Sequence, residues 1–471
     1  MNVSTPPSAS HPHRWQRGVA LVTAGYFLSR SLFCLVGIRF DGMDNLNSFL
    51  QFIDPPLLQH DLFASLYYSS FPPLYNLIVG VMLKLFGESA AAFALLHLFL
   101  GWMLGLVLFA LLSDLGIGRR VAAAAALLFL ILPPAILYEN WLLYTYLETL
   151  LFTLTVWCFL RFIQTRQFAW SLALFACATA LALLNARMMF FVFIIAFFLW
   201  LAWRQGGRPP KFARTAALSA TPLLLVVLVM AKNAWLFGAF TVDPHFGFHM
   251  GNGFIFEAWR DDETHAVCER DYPLLLIPPT LFPSAEKAGL EPPAKTGIPL
   301  LDSPIRSTGY ANYNSKLYLM LSPLYTDELA DFIQRHPLLY ARFVKNALLN
   351  YWQPSNEYSF WQTDNPYGFS RLKNRQALGR YDSIYSKVYP LFLLAYLAGM
   401  IGVLRAGWSR RWADAYSVTL AFALATIAYN MLAVFVTLGE NDRYKFTIEP
   451  LLWVIAVCFL AQLFRARKSK T

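Results

Sequence analysis

Asp41, Asp44, Asp54 and Asp61 fall within one polar stretch that directly follows an apolar run. The stretch reads Arg39-Phe40-Asp41-Gly42-Met43-Asp44-Asn45, then Asp54-Pro55-Pro56, then His60-Asp61-Leu62. A carboxylate held beside an apolar surface can deprotonate a hydroxyl or hold a cation. One such residue alone is a solvated loop residue or a helix cap. A cluster of them at the end of an apolar run is a candidate site.

Cations occur at comparable places. Arg187 follows Asn185 at the end of an apolar run, and Lys232-Asn233 precedes Phe237-Gly238. Snorkelling accounts for either cation alone. Two of them near a carboxylate loop also suit a phosphate, which arginine grips with a fork and lysine meets as a point charge. A third polar run, Glu440-Asn441-Asp442-Arg443-Tyr444-Lys445, lies between two apolar stretches. The segment His245-Phe246-Gly247-Phe248-His249-Met250-Gly251-Asn252-Gly253 is aromatic and glycine-rich, which suits close backbone approach to a ligand. A lone histidine is more often structural, so His245 and His249 stand behind the carboxylates and cations.

The elements that position these residues are set by composition. Hydrophobic residues make up 57% of the 471 and charged residues 14%, with a mean hydropathy of +0.45. This is an all-α integral membrane protein and not a large soluble core. Spans are expected near 18–37, 89–112, 121–138, 141–162, 168–185, 187–203, 214–237, 387–404, 413–437 and 446–464. That makes about ten helices, with both termini on one side. The termini and the loops near 114–120, 161–168, 204–214 and 405–412 hold 17 Lys or Arg and one acid, Asp114. Short basic loops mark the cytoplasmic side. The net charge of +10 is therefore a topology signal, and no nucleic-acid partner is expected. Segment 238–386 holds 13 basic and 16 acidic residues and is placed on the opposite side.

Leu74–Phe86 would cover only about 20 Å as a helix, short of a roughly 30 Å hydrocarbon core. If it crossed, the basic loops after it would change sides, so it is read as interfacial or re-entrant. Three parts result: a membrane module over 1–237 with an acidic outer loop at 38–73, a partly helical outer segment over 238–386, and a membrane part over 387–471. Within the outer segment, Thr326-Asp327-Glu328 reads as a helix N-cap, and Pro337 as the start of a helix to about Trp352. The five cysteines show neither disulfide nor zinc spacing.

The order of these motifs resembles a known family. The acidic loop is followed by Pro72-Pro73-Leu74-Tyr75, by Lys232-Asn233 with Phe237-Gly238, by Gly251-Asn252, by His336-Pro337 with Tyr340, and by Glu440 with Arg443-Tyr444 before the last span. This is similar to the GT-C glycosyltransferases, specifically the bacterial relatives of protein O-mannosyltransferase and of the lipid A aminoarabinose transferase. The resemblance implies a polyprenyl-phosphate-linked sugar as donor and a hydroxyl acceptor on a glycan, lipid or protein. It implies inverting transfer of one sugar at the outer face, in a bacterial inner membrane with the site facing the periplasm. It implies Asp44 as base, with Asp41 as the second choice. Asn45 stands where the family commonly has Glu, which removes one carboxylate a divalent metal would use. No cofactor is certain from the sequence; a divalent metal stays open, without support from these residues. Arg187, Lys232 and Arg443 would meet the donor phosphate. Asn45, Glu148, His249, Asn252, Glu440 and Tyr444 would line the substrate.

Two other readings share the lipid-linked substrate. A transporter or flippase would carry ionisable residues at mid-span, where Arg30, His97 and Glu148 are the clearest. A surface-glycan polymerase or ligase would move a chain and not a single sugar.

Overall fold

The computed structural model describes residues 12–49, 51–67, 69–205, 210–277, 288–291, 293–355, 372–410, 414–432 and 441–468. Among them the chain is helical, with one isolated bridge between Ile305 and Ala311 and no strand.

The first helix, α1 (Pro12–Leu35), leads into three short helices: α2 (Asp44–Ser48), α3 (Pro55–His60) and α4 (Ala64–Tyr67). Then come α5 (Leu74–Phe86), α6 (Ala90–Asp114), α7 (Arg119–Ile131), α8 (Pro133–Glu139), α9 (Thr145–Thr165) and α10 (Phe168–Leu184). A 3-10 turn at Ala186–Phe190 precedes α11 (Phe191–Gln205), α12 (Pro210–Ser219) and α13 (Leu223–Phe237). The outer segment holds α14 (Phe246–Ala258), α15 (Asp262–Asp271), α16 (Pro299–Asp302), α17 (Lys316–Arg335) and α18 (Pro337–Tyr351). The chain then runs through α19 (Leu372–Arg410), α20 (Ala415–Leu432) and α21 (Asn441–Lys468).

Seven of the described helices are long and apolar enough to cross a membrane, and up to nine if each bent pair counts as one. Among the described residues the expected count of about ten is not confirmed. The expected span at 168–185 is the 17-residue α10, which covers about 26 Å. The bent pairs have visible causes. Pro133 forces Leu132 into extended backbone, and α7 and α8 meet at 64°. Pro222 stands at the 42° break between α12 and α13. The short α5 is bounded by Pro73 and by Gly87 at φ +61°, and it is the 13-residue apolar helix read from the sequence.

Among the candidate spans α9 is the most enclosed, packing against α6, α10, α20 and α21. Glycines let the first helices approach closely. A Cβ on Gly105 would press on Leu130, and one on Gly101 would collide with the Glu139 carboxylate. That carboxylate takes two hydrogen bonds from Arg30, from Nε at 2.7 Å and Nη2 at 2.6 Å. Tyr146 donates to it as well, at 3.2 Å.

In the outer segment, α18 begins at Pro337 as expected, but α17 begins at Lys316, ten residues before the expected cap at Thr326. Thr326 sits mid-helix, donating to the Ser322 carbonyl at 3.0 Å. Tyr318, Leu321, Tyr325, Leu329 and Phe332 recur at helical spacing and bury one continuous face. That face outweighs Pro323 and starts the helix earlier.

Candidate active site

The helix ends sort into two groups. At one end Asp114 meets Arg161 at 3.6 Å and accepts from Trp157 at 2.9 Å, while Arg465 donates to the Gly116 carbonyl at 2.6 Å. At the other end lie the first outer loop, the 138–145 turn, the 185–190 turn and the start of α21.

The carboxylate loop is seated on the 138–145 turn. The Asp41 amide donates to the Asn140 carbonyl at 3.0 Å, and Asn45 Nδ2 donates to the Leu142 carbonyl at 3.2 Å. Gly42 makes this approach possible, since a Cβ there would lie 2.6 Å from the Leu142 nitrogen. Asp41 is half-buried with an enclosed Oδ2, whereas Asp44 opens α2 on its solvent side and is exposed. The amide of the buried Asn45 is used as an anchor.

The same turn leads to Tyr144, whose ring lies 5.5 Å from the Arg443 guanidinium carbon. Arg443 is fully buried and donates to the Tyr444 hydroxyl at 3.0 Å. The Tyr444 ring carries Arg443 at 4.7 Å and Arg187 at 3.5 Å. The 3-10 turn aims Arg187. Asn185 caps that turn, and its Oδ1 accepts from the Arg187 amide at 3.3 Å and from its Nε at 3.2 Å. Asn185 Nδ2 in turn donates to Glu148 Oε1 at 3.1 Å. Tyr429 donates to the Arg187 carbonyl. Both terminal nitrogens of Arg187, and Oε2 of the fully buried Glu148, are enclosed without a hydrogen-bond partner among the described residues.

Arg187, Arg443, Tyr444 and Glu148 therefore form one cluster. Lys232 has a separate partner, donating to the Ser69 carbonyl at 2.6 Å. His249 Nε2 lies 3.2 Å from the buried Asp243 carboxylate. Phe71, two residues from Ser69, meets the His249 ring edge-on at 5.5 Å. Burial alone would raise the Asp243 carboxyl, but His249 and then His245 outweigh it and hold it below its usual range. Glu440 and the side chain of Asn252 lie outside the described residues. Among the described residues no group of three His, Cys, Asp or Glu could hold a metal ion.

Several buried ionic groups escape a reading of local spacing. Glu139 is 109 positions from Arg30, its partner. Lys445 is fully buried and donates to the Gln353 carbonyl and to Tyr389 at 2.5 Å. Glu449, one turn further, accepts from Ser355 at 2.8 Å and from Tyr385 at 3.4 Å. Their positions four apart on one apolar helix were the available signal.

No family model matches the chain, and no curated protein matches it. Solved structures do. The oligosaccharyltransferase of Archaeoglobus fulgidus in complex with zinc and sulfate is 14% identical, with a TM-score of 0.45, and the match covers 95% of this chain and 49% of that one. The archaeal oligosaccharyltransferase AglB from Archaeoglobus fulgidus, in complex with an inhibitory peptide and a dolichol-phosphate, is 15% identical, with a TM-score of 0.47, over 96% of this chain and 52% of that one. The chain spans about half the length of these solved structures to which it is similar.

Proposed function

We propose that this chain is a membrane glycosyltransferase that moves a single sugar from a polyprenyl-phosphate carrier to a hydroxyl acceptor. The reaction takes place at the end of the bundle opposite the basic loops. In a bacterial inner membrane that end faces the periplasm. The observation that carries this reading is the Arg187 fork, enclosed and without a partner beside the buried Arg443. Buried donors that bond to nothing cost about 1–3 kcal/mol each, and more when charged. A phosphate at this place would satisfy the Arg187 fork with two parallel hydrogen bonds.

The chemistry follows from that anion site. The acceptor oxygen attacks the anomeric carbon from the face opposite the phosphate, and the bond from that carbon to the phosphate oxygen breaks. The electron pair leaves on the phosphate, where Arg187 and Arg443 neutralise it from fixed positions. The transferred sugar, a hexose or pentose, is inverted. The acceptor proton passes to a carboxylate of the first outer loop. The enclosure of Asp41 and its seat beside Asn140 support it as that base, with Asp44 as the exposed alternative. Glu148 keeps Asn185 turned toward Arg187 and so aims the fork. Lys232 would approach the phosphate only by leaving the Ser69 carbonyl.

Native mass spectrometry of the protein purified with its lipids tests the reading. The Asp41→Asn and Asp44→Asn variants are measured beside the Arg187→Ala variant. A polyprenyl phosphate carrying one sugar on either Asp variant, and none on R187A, is the expected result. Ordinary phospholipid alone on all of them would sink the donor assignment. A lipid carrying a long glycan would point to a polymerase or ligase.

A further inference from the structure

The first outer loop does not hold its own shape. α2 has five residues, far below the roughly 12–15 at which an isolated helix becomes even marginally stable. Its last carbonyls, like those of any helix end, need partners from elsewhere. The partners come from a hairpin more than 250 positions away in the outer segment.

That hairpin runs from Pro304 to Asn312. Arg306 and Tyr310 close it through the Arg306 amide and the Tyr310 carbonyl at 2.8 Å, and Asn312 donates back to Pro304 at 2.9 Å. Gly309 turns the chain at φ +83°, a left-handed conformation that favours glycine. The three tip residues reach into the first outer loop. Arg306 Nη1 donates to the Leu46 carbonyl at 3.4 Å and the Phe52 carbonyl at 3.1 Å. Thr308 donates to the Asn47 carbonyl at 3.1 Å. Ser307 grips the Asp54 carboxylate with its amide at 3.0 Å and its hydroxyl at 2.7 Å. Two residues past the hairpin, Asn314 Oδ1 accepts from the Ser70 amide at 3.0 Å and from the Ser69 hydroxyl at 3.1 Å. The loop is thus held at its middle and near its end from one short stretch of the outer segment.

Arg306 is 4% exposed, and its Nε and Nη2 find no hydrogen-bond partner among the described residues. Burial pushes its guanidinium down to about 10, which leaves it charged at neutral pH. A cation buried with donors unused is expensive. Packing alone would be served as well by an apolar residue.

We infer that Arg306 is a positioning residue that clamps α2 from its C-terminal end, so that the outer segment, together with the 138–145 turn beneath Asp41 and Asn45, sets where the Asp41–Asp44 carboxylates sit. The inference rests on the reading of that loop as the source of the catalytic base. Removing the clamp leaves the carboxylates tethered only through the Asp41 and Asn45 bonds to the 138–145 turn, free to shift on that seat, while the arginine cluster on α21 and the 3-10 turn stays in place. Acceptor activation is lost and donor binding is kept.

The test uses the full chain in lipid nanodiscs, with Arg306→Gln, Arg306→Lys and the milder Ser307→Ala. Undecaprenyl phosphate is the binding probe, native membranes supply donor and acceptor for transfer, and amide hydrogen exchange is followed across residues 45–54. For R306Q the expectation is unchanged affinity for undecaprenyl phosphate, kcat lower by about 100-fold with donor KM held, and faster exchange in 45–54. R306K, which still donates to carbonyls, should recover at least about tenfold of that loss. S307A should give a smaller loss of the same kind. Wild-type protection of 45–54 in R306Q would overturn the inference. So would a loss of lipid binding parallel to the loss of transfer, because Arg306 would then act through the whole fold. If the wild-type protein neither binds the probe nor transfers sugar, the functional reading fails, while the exchange result still decides whether the hairpin clamps the loop.

Discussion

The guanidinium of Arg187 lies 3.5 Å from the centre of the Tyr444 ring, while its two terminal nitrogens are buried and bond to nothing among the described residues. Asn185 fixes Nε from behind, so the fork is held flat with its outer edge unused. A side chain restrained on one edge and empty on the other is preorganised for an anion.

Arg187→Ala should weaken binding of undecaprenyl phosphate by about 2 kcal/mol, near 30-fold, since a charge-assisted hydrogen bond contributes roughly 1.5–3 kcal/mol. Arg187→Lys keeps the charge but loses the fork, and should recover only part of that. Lipid affinity measured by native mass spectrometry at fixed detergent decides it. Equal affinity in all three proteins would remove Arg187 from the donor site.

The two carboxylates of the first outer loop are expected to separate by burial. Asp41→Asn should lower transfer by about 10²–10⁴-fold without changing lipid affinity, the usual scale for losing a general base. Asp44→Asn removes an exposed charge and should cost much less. Single-turnover transfer from the co-purified lipid makes the comparison. The reverse order would move the base onto α2 and return it to Asp44.

How much of this is legible in the sequence depends on range. The apolar runs, the sorting of basic loops and the short α5 follow from composition and length alone. The start of α18 follows from Pro337, a local signal. The start of α17 does not follow from Thr326, because the face from Tyr318 to Phe332 decides it and that face is buried by α14 and α18. Arg187 and Arg443 stand out as costly charges at span ends, but only the fold joins them through Tyr444. Arg306 carried no signal, since its partners are carbonyls 254 and 260 positions away. A carbonyl is invisible in a sequence.

The Arg30–Glu139 pair gives a stability prediction independent of function. Both side chains are nearly buried, at 9% and 2% exposure, so removing one partner leaves a buried charge unmatched. Glu139→Gln or Arg30→Met should each destabilise by about 3–5 kcal/mol, and an apolar double replacement by much less than the sum. Gly101→Ala should do comparable damage, since its Cβ meets the same carboxylate. Thermal unfolding of each protein in one detergent measures this. Additive losses in the double variant would show that the two residues do not act as a pair.

Acid should loosen the start of α14. Burial pushes the His245 imidazole down to about 4, against the pull of Asp243, while the unfolded chain keeps the ordinary value of about 6.5. Between those values the unfolded state binds a proton that the folded state refuses, so stability rises with pH and falls as pH drops from 6.5 toward 4. From pH 7 to pH 5 the loss is about 2 kcal/mol. Asp243 acts in a separate, lower window. Its carboxyl is depressed in the fold, so its contribution is full above about 3.9 and is lost only as pH falls further. His245→Phe keeps a ring stacked on Phe71, 4.8 Å away in the native protein, and removes the titration. Hydrogen exchange of amides 246–251, corrected for its intrinsic pH dependence, should quicken about 30-fold from pH 7 to pH 5 in the native chain and stay level in the variant. The same acceleration in both proteins would assign the pH response to another group.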